Sequence, residues 1–319
     1  MKKTAIAPAN IAFIKYWGKK DEKLRTPTNS SISMNLSNLL TTTTVEFNQE
    51  FAKDTVNIGR ILDEKEGKRV IDHLDRVRKI ARIISKAKVC SKNNFPSGTG
   101  LSSSASGFAA LTLAATRAAG LTMSEKQLST LARLGSGSAC RSVPDGFVEW
   151  DNFHGYTLYP PEYWDILDVV VVVSREKKEI SSASGQRSAS MSPFFKERLR
   201  LIKNKIIKIK QLIREKDFIN FGQLVEDEAL ELHSIMLTSK PALIYFMPNT
   251  IKIIKLIQRW RQEGLAVYFT LNTGHNIHII IENKNIQKLI NRLKIVKELD
   301  QIIINKPYIG VRESTSHLF

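Results

Sequence analysis

One glycine- and serine-rich run constrains this chain more than any other feature. It extends from Pro96 to Ala105 and leads into an alanine-rich segment that reaches Ala119. Glycine lets the backbone bend and approach an anion, and the first turn of a helix presents unpaired N–H groups at the positive end of its dipole. The run predicts a phosphate-binding loop at the start of a helix that stops at Gly120. A plain connecting loop of the same composition is the alternative.

The bulk composition is that of an ordinary globular protein. The chain has 319 residues, of which 42% are hydrophobic and 25% charged, enough for one large domain or two lobes. No apolar run has the length of a membrane span, and the N-terminus lacks the apolar core of a signal peptide. We therefore expect a cytoplasmic protein with no membrane partner.

Cysteine and histidine usage argues against a protein-ligated metal site. Cys90 and Cys140 lack metal-site spacing and are too few for a disulfide framework, so reduced thiols are expected. The six histidines are scattered, with no pair at helical spacing that could hold zinc.

The formal net charge of +17 raises the question of a nucleic-acid partner. In the segment 199–216, however, lysines alternate with leucine and isoleucine residues that recur every three or four positions. This pattern is typical of the solvated face of an amphipathic helix. We expect no nucleic-acid partner, and a basic cleft for a small polyanionic substrate would suit the same charge.

The secondary-structure pattern is mixed. Short β-branched runs predict strands at 41–47, 169–174, 267–270 and 277–282. Apolar spacing predicts helices at 68–85, 124–134, 193–214, 217–236 and 249–263, the second of them capped by Ser124. We expect an N-terminal lobe over 1–180 that carries the phosphate-binding loop and a C-terminal lobe over 181–319, which begins with the serine-rich loop 181–192.

Three further stretches carry chemical groups. The first, Ala7–Lys19, places two lysines and a phenol around the tight turn Lys-Tyr-Trp-Gly-Lys. The second, Gly135–Ser142, combines small residues with Arg141, whose planar guanidinium suits a carboxylate or phosphate. The third is Asn272–Asn276.

Together with the serine-rich run, these stretches resemble the GHMP kinase superfamily and, within it, the diphosphomevalonate decarboxylase family. The resemblance covers essentially the whole chain. It implies an α+β fold of the GHMP kinase type, with two α/β lobes and the active site in the cleft between them. It also implies a homodimer that uses ATP and Mg2+ to phosphorylate the 3-hydroxyl of mevalonate 5-diphosphate. Loss of that phosphate and of CO2 then yields isopentenyl diphosphate.

The resemblance also implies roles for individual positions. Lys15 would lie near the reacting hydroxyl, and Arg141 would orient the substrate carboxylate. The ATP phosphates would be held by Gly98, Gly100, Ser102, Ser103 and Ser104, with Ser103 also a ligand of Mg2+. The substrate would be bound by Tyr16, Trp17, Gly18, Lys19, Arg69, Ser136, Gly137, Ser138, Ala139, Cys140 and Ser182.

Several of these positions also have a purely structural interpretation. Lys15 and Lys19 could be surface lysines, Arg141 could belong to a structural ion pair, and Trp17 could serve core packing. The match at Ser182 is weakened by Gln186, which stands where the family has methionine.

The chain departs from the family at position 272, where Asn272 replaces a catalytic aspartate. An amide can hydrogen-bond a hydroxyl group but cannot take its proton. Three outcomes are open: a slow decarboxylase, a decarboxylase in which another carboxylate such as Asp145 substitutes, or a kinase acting on a related substrate such as mevalonate or mevalonate 5-phosphate.

Overall fold

The computed structural model describes residues 1–59, 64–297 and 299–319. The helices are α1 (Glu64–Ala81), α2 (Ser103–Ala118), α3 (Glu125–Gly135), α4 (Ser182–Gly185), α5 (Phe195–Glu215), α6 (Phe218–Leu237), α7 (Pro248–Gln262) and α8 (Ile286–Leu293). The strands are β1 (Lys2–Ile14), β2 (Lys19–Asp21), β3 (Thr26–Pro27), β4 (Ser31–Asn48), β5 (Thr55–Asn57), β6 (Lys86–Asn93), β7 (Phe147–Trp150), β8 (Gly155–Tyr159), β9 (Ile166–Val172), β10 (Tyr268–Thr270), β11 (Ile277–Glu282), β12 (Gln301–Asn305) and β13 (Arg312–Ser314).

The first sheet is built around β1 and β4. Within the described residues its strand order is β13-β1-β4-β6-β5, and β7 pairs with the start of β4 and with β8. Helix α2 packs across this sheet, where its alanines contact Ala5, Ala7 and Val45. Their small side chains let the helix lie close to β1 and β4.

The second sheet has the order β10-β11-β9-β12 and is antiparallel. Strand β9 is buried along its whole length. Its even-numbered residues Ile166, Val170 and Val172 enter one core, whereas Leu167, Val169 and Val171 enter the other. This two-sided burial explains why its sequence is a continuous apolar run.

Helices α5 and α6 join the two sheets. A single apolar cluster contains Phe13 of β1, Ile209 of α5, Phe221 of α6 and Val170 of β9. The predicted α+β fold with two α/β parts is confirmed. No helix in the described part of the chain is long and apolar enough to cross a membrane.

Several predicted bounds differ from the observed ones. The predicted helix 68–85 runs over 64–81 instead and ends where Arg82 adopts a left-handed backbone with φ 55°. The predicted serine-rich loop contains α4 and a 3-10 turn, Gln186–Met191. Strand β9 joins the second sheet although it precedes residue 180, and β13 returns to the first sheet. The lobe boundary at 180 stays a prediction.

A buried ion pair fixes α5 against α6 and β1. The side chains of Arg198 and Glu228 are fully buried and lie 2.5 Å apart. Glu228 also accepts a hydrogen bond from the backbone N–H of Lys15 at 3.0 Å, and Arg198 donates to the Lys15 carbonyl at 3.1 Å. Although burial alone would raise the pKa of Glu228, the Arg198 guanidinium holds it below its usual value.

Replacing Arg198 should therefore leave the buried Glu228 carboxylate without its closest cation, with Lys205 Nζ at 3.3 Å as its remaining cationic partner among the described residues. We expect Arg198→Met to lower the free energy of unfolding by about 3–5 kcal/mol, measured by urea denaturation. Arg200→Met is the matched control, because Arg200 pairs with Glu197 on the exposed face of the same helix. Equal denaturation midpoints for the two variants would contradict the assignment.

Candidate active site

The predicted stretches converge on one open cavity of about 370 Å³, a size suited to a small-molecule ligand. It lies between the two sheets and is strongly basic, since among the described residues seven cationic side chains line it against two carboxylates, Glu66 and Glu179. The cationic residues are Lys15, Lys19, Arg25, Arg69, Arg141, Lys177 and Lys178. Such a lining fits a polyanionic ligand.

The serine-rich run forms a bent loop that ends at the N-terminus of α2. Gly98 and Gly100 have φ values of 77° and 96°, and Ser102 adopts the left-handed conformation with φ 59°. Although Ser102 occupies the N-cap position, it makes no side-chain cap hydrogen bond, so the first turn remains available to an anion. Gly98, Gly100, Ser102, Ser103 and Ser104 all line the cavity.

The loop from the first sheet touches the loop from the second. A Cβ on Gly100 would lie 2.7 Å from the Cα of Gly274, and one on Gly274 would lie 2.5 Å from the carbonyl oxygen of Thr99. Asn276 donates a hydrogen bond to the same carbonyl at 3.2 Å. Glycine at both positions is therefore required for the two loops to meet.

Lys15 lies at the end of β1 and is only 2% exposed, so it is not a surface lysine. Its Nζ donates to the carbonyl of Ala12 and to Thr270 Oγ1, both at 2.6 Å, and lies 3.4 Å from Asn272 Oδ1. Burial lowers the pKa of Lys15 to about 7; Glu228 opposes this shift, and Arg141 adds to it.

Asn272 links the lysine to the phosphate-binding loop. Its side-chain Nδ2 donates to Ser102 Oγ at 3.0 Å, and its backbone carbonyl oxygen lies 3.2 Å from His233 Nε2. Burial, together with a smaller effect of the Lys15 charge, lowers the pKa of His233 to about 4. This histidine is therefore neutral at pH 7 and acts as a support for the backbone of Asn272.

Arg141 projects from a 3-10 turn, Gly137–Ser142, and is 4% exposed. It donates to Ser31 Oγ at 2.6 Å and to Asn10 Oδ1 at 3.1 Å. Its Nε has no hydrogen-bond partner, and no carboxylate of the described residues pairs with it. A buried guanidinium with spare donors fits an incoming carboxylate or phosphate.

The turn after β1 divides into lining and packing residues. Tyr16 lines the cavity and meets the Trp150 ring edge-on, with the ring centroids 4.6 Å apart. Lys19 also lines it and pairs with Glu22 at 2.7 Å. Trp17 is fully buried and packs in a cluster with Phe195, and one part of it also lines the cavity.

Gly18 supports the same turn from outside the cavity lining. Its φ is 90°, and a Cβ on it would lie 2.7 Å from the ring of Phe195. Glycine is therefore needed here for the turn to form.

The stretch 136–140 forms one wall. Ser136, Gly137 and Ser138 line the cavity, and Ser136 Oγ lies 3.3 Å from Ser104 Oγ. Ala139 and Cys140 are fully buried behind them. Burial raises the pKa of Cys140 to about 12, although Arg141 opposes this shift, so the thiol is not a nucleophile.

The opposite wall contains a partly buried lysine, Lys178, that sequence reasoning missed. Lys178 Nζ lies 2.7 Å from both Ser182 Oγ and the carbonyl of Thr273, and Ser182 also hydrogen-bonds Thr273 Oγ1. Burial lowers the pKa of Lys178 to about 8. Arg69 lines the cavity at its other side, where it donates to the carbonyl of Gly135 at 3.1 Å.

Asp145, the predicted substitute for the missing aspartate, lies outside the cavity. Its side chain is exposed, and Oδ1 accepts a hydrogen bond from the backbone N–H of Gly310 at 2.6 Å. Its carboxylate anchors the C-terminal segment. The prediction that Asp145 faces the substrate is therefore wrong. Asp145 is close to Arg141 in sequence, but the Arg141 side chain lines the cavity whereas the Asp145 side chain contacts Gly310.

Both halves of the chain match family models. Residues 7–156 match the diphosphomevalonate decarboxylase-like N-terminal domain, and residues 168–310 match the mevalonate 5-diphosphate decarboxylase C-terminal domain. The chain is 35% identical over 311 residues to the diphosphomevalonate decarboxylase of Candida albicans, covering 90% of this chain and 86% of that protein. Over 302 residues it is 35% identical to the human enzyme, covering 86% and 75%.

Solved structures agree. Mevalonate diphosphate decarboxylase from Staphylococcus aureus has a TM-score of 0.92 and 34% identity, with 98% of both chains covered. A structure of MDDEF in complex with MVAPP, AMPPCP and magnesium has a TM-score of 0.92 and 34% identity, covering 98% of this chain and 99% of that one. The chain therefore belongs to the diphosphomevalonate decarboxylase family.

Proposed function

We propose that this chain decarboxylates mevalonate 5-diphosphate in an ATP-dependent reaction that yields isopentenyl diphosphate. The observation that carries the proposal is the convergence of Lys15, Arg141 and the phosphate-binding loop on one basic cavity. Similarity to enzymes named for this reaction covers both halves of the chain. A related structure also holds MVAPP, AMPPCP and magnesium together.

The phosphate-binding loop fits the nucleotide. Ser102, Ser103 and Ser104 offer hydroxyls beside the N-terminus of α2, where an anion is stabilised. A second cavity of about 130 Å³ shares Ser103 and Ser104 with the first and has apolar walls at Val89 and Phe108, which suit a nucleobase.

The donor set also fits Mg2+ held mainly by phosphate oxygens. Among the described residues, no group of three or more His, Cys, Asp or Glu side chains could hold a metal ion. Ser103 would supply a protein oxygen, and Mg2+ would neutralise charge on the transferring phosphate when bound.

The remaining cations suit the substrate. Arg141 has spare donors for its carboxylate, and Lys19, Arg25 and Arg69 lie where a diphosphate could bind. Phosphorylation turns the tertiary hydroxyl into a leaving group, and its departure builds positive character on the adjacent carbon. The site needs aligned charges for this chemistry, and no covalent nucleophile is required.

A kinase that stops at phosphorylation is the alternative within the same fold. Arg141 argues against it, because phosphoryl transfer alone does not require a buried guanidinium for the carboxylate. We also infer a homodimer and a cytoplasmic location, as in the resemblance described above, and a division into lobes near residue 180.

The decisive assay offers mevalonate, its 5-phosphate and its 5-diphosphate in parallel and follows ADP and CO2 separately. We expect ADP and CO2 in equal amounts with the 5-diphosphate. ADP without CO2 would identify a kinase, and the absence of both products with all three compounds would overturn the proposed function.

The contact between the two loops can be tested with Gly274→Ala. The added methyl group would push the loop of Gly100 away, so we expect kcat/KM for ATP to fall about 10²-fold. Gly67→Ala is the matched control, since a Cβ there meets nothing within 4 Å. Native ATP kinetics in Gly274→Ala would show that the contact does not position the nucleotide.

The guanidinium of Arg141 can be tested with Arg141→Met. We expect kcat/KM for the 5-diphosphate to fall by about 10²–10³, the usual effect of losing one preorganised donor. Arg133→Met is the control, because Arg133 is equally buried at 3% exposure but donates to the carbonyl of Asn152 instead of lining the cavity. A similar loss in both variants, measured below their unfolding temperatures, would indicate a structural role only.

A further inference from the structure

The structure raises the question of where the proton of the substrate hydroxyl goes. When an oxygen attacks phosphorus, its O–H bond breaks and a base must accept the proton. Asn272 cannot do so, and Asp145 is held outside the cavity by Gly310. The two carboxylates that line the cavity, Glu66 and Glu179, make no hydrogen bond with Lys15 or Asn272 in the described part of the chain.

We propose that Lys15, as a neutral amine, is the catalytic base that accepts this proton. The inference rests on the proposed function and deepens it by assigning the proton acceptor of the same site. Its geometric basis is the position of Nζ, which lies at the cavity wall with two short hydrogen bonds and, among the described residues, no carboxylate within hydrogen-bond distance.

Two of the hydrogen bonds of Lys15 Nζ are short and the third is long. Nζ donates to the Ala12 carbonyl and to Thr270 Oγ1, both at 2.6 Å. Its third acceptor, Asn272 Oδ1, lies 3.4 Å away, so this is the weakest of the three bonds. A neutral amine gives up only this weakest bond, and its lone pair is then available to a substrate hydroxyl.

The charges around Lys15 favour the same state. Glu228 is the nearest acid, but it contacts the Lys15 backbone and pairs with Arg198 and Lys205. Asp168 is engaged with His278 and Asn305. The other groups that face Lys15 are the cations Arg141 and Arg198 and the neutral His233. With burial as the largest cause, the pKa of Lys15 is lowered to about 7, so a large fraction is neutral near pH 7.

The step balances without a further reactant. The O–H bond of the 3-hydroxyl breaks, its proton goes to Nζ, and its electron pair forms the new O–P bond as ADP leaves. Lys15 is then an ammonium ion beside the newly transferred phosphate. The positive charge stabilises that phosphate as it leaves with the C–O electron pair, while the C–C pair released with CO2 forms the double bond.

The role can be tested with Lys15→Arg, which keeps the positive charge but cannot become neutral. We expect kcat/KM to fall at least about 10³-fold in this variant. If Lys15 supplied only a positive charge, arginine would preserve that charge and the decrease would be smaller. In the Asn272→Asp background a carboxylate is present again, so Lys15→Arg should cost about 10-fold or less. Equal losses in the two backgrounds would overturn the inference.

The pH dependence gives a second readout. In the native chain kcat/KM should rise as the pH increases through about 7, because Lys15 must lose its proton. In Asn272→Asp the new carboxylate, with its pKa held low by the neighbouring cations, should move this acidic limb at least one pH unit lower. Lys205→Arg, which keeps the charge beside Glu228, should leave the limb unchanged. Coincident limbs in the native chain and Asn272→Asp would contradict the proposal.

A direct titration separates this inference from the proposed function. Lysines labelled with 13C at Cε report their ionisation by NMR in the free protein, and the Lys15 signal is the one missing from Lys15→Arg or, if that variant misfolds, from Lys15→Met. We expect it to titrate near pH 7. A Lys15 pKa near the ordinary lysine value of about 10.4 would overturn the inference even if the decarboxylase assay succeeds. A low Lys15 pKa in a protein that is inactive with all three mevalonate compounds would count against the proposed function alone.

Discussion

The close approach of Gly100 to Gly274 is the constraint on which the rest of the site depends. One loop leaves the first sheet, the other lies between β10 and β11 of the second, and the two meet at this contact. Asn276 joins them further through the Thr99 carbonyl. Because backbone meets backbone here, Asn272 comes within hydrogen-bond distance of Ser102, and its side chain also contacts Lys15.

Sequence reasoning succeeded where a residue's role depends on local backbone chemistry. The glycine- and serine-rich run predicted a helix N-terminus, and α2 begins at Ser103 as expected. Ser124 caps α3 with its side chain accepting from Gln127. Helix bounds were less accurate where a single residue such as Arg82 ends the helix, since a left-handed backbone at arginine has no sequence signal.

The predictions that failed concern direction and burial, which long-range packing decides. The sequence analysis did not single out Lys178, which lies in the cavity wall because Ser182 and Thr273 hold its Nζ from other elements. Asp145 follows the Arg141 stretch in sequence but points to Gly310, which is 165 residues away. The sequence shows the net charge of +17 but not where it is concentrated; in the described part of the chain, seven cationic side chains line one cavity.

The replacement of aspartate by Asn272 changes charge much more than shape. An amide still donates to Ser102 and faces Lys15, so the hydrogen-bonded frame of the site is retained. What disappears is the negative charge that would hold a buried ammonium in its protonated state. Desolvation then dominates, and a lysine that a carboxylate would keep charged becomes able to release its proton near neutral pH. Replacing the aspartate by Asn272 therefore removes one base and at the same time lowers the pKa of Lys15 enough for this lysine to act as the base instead.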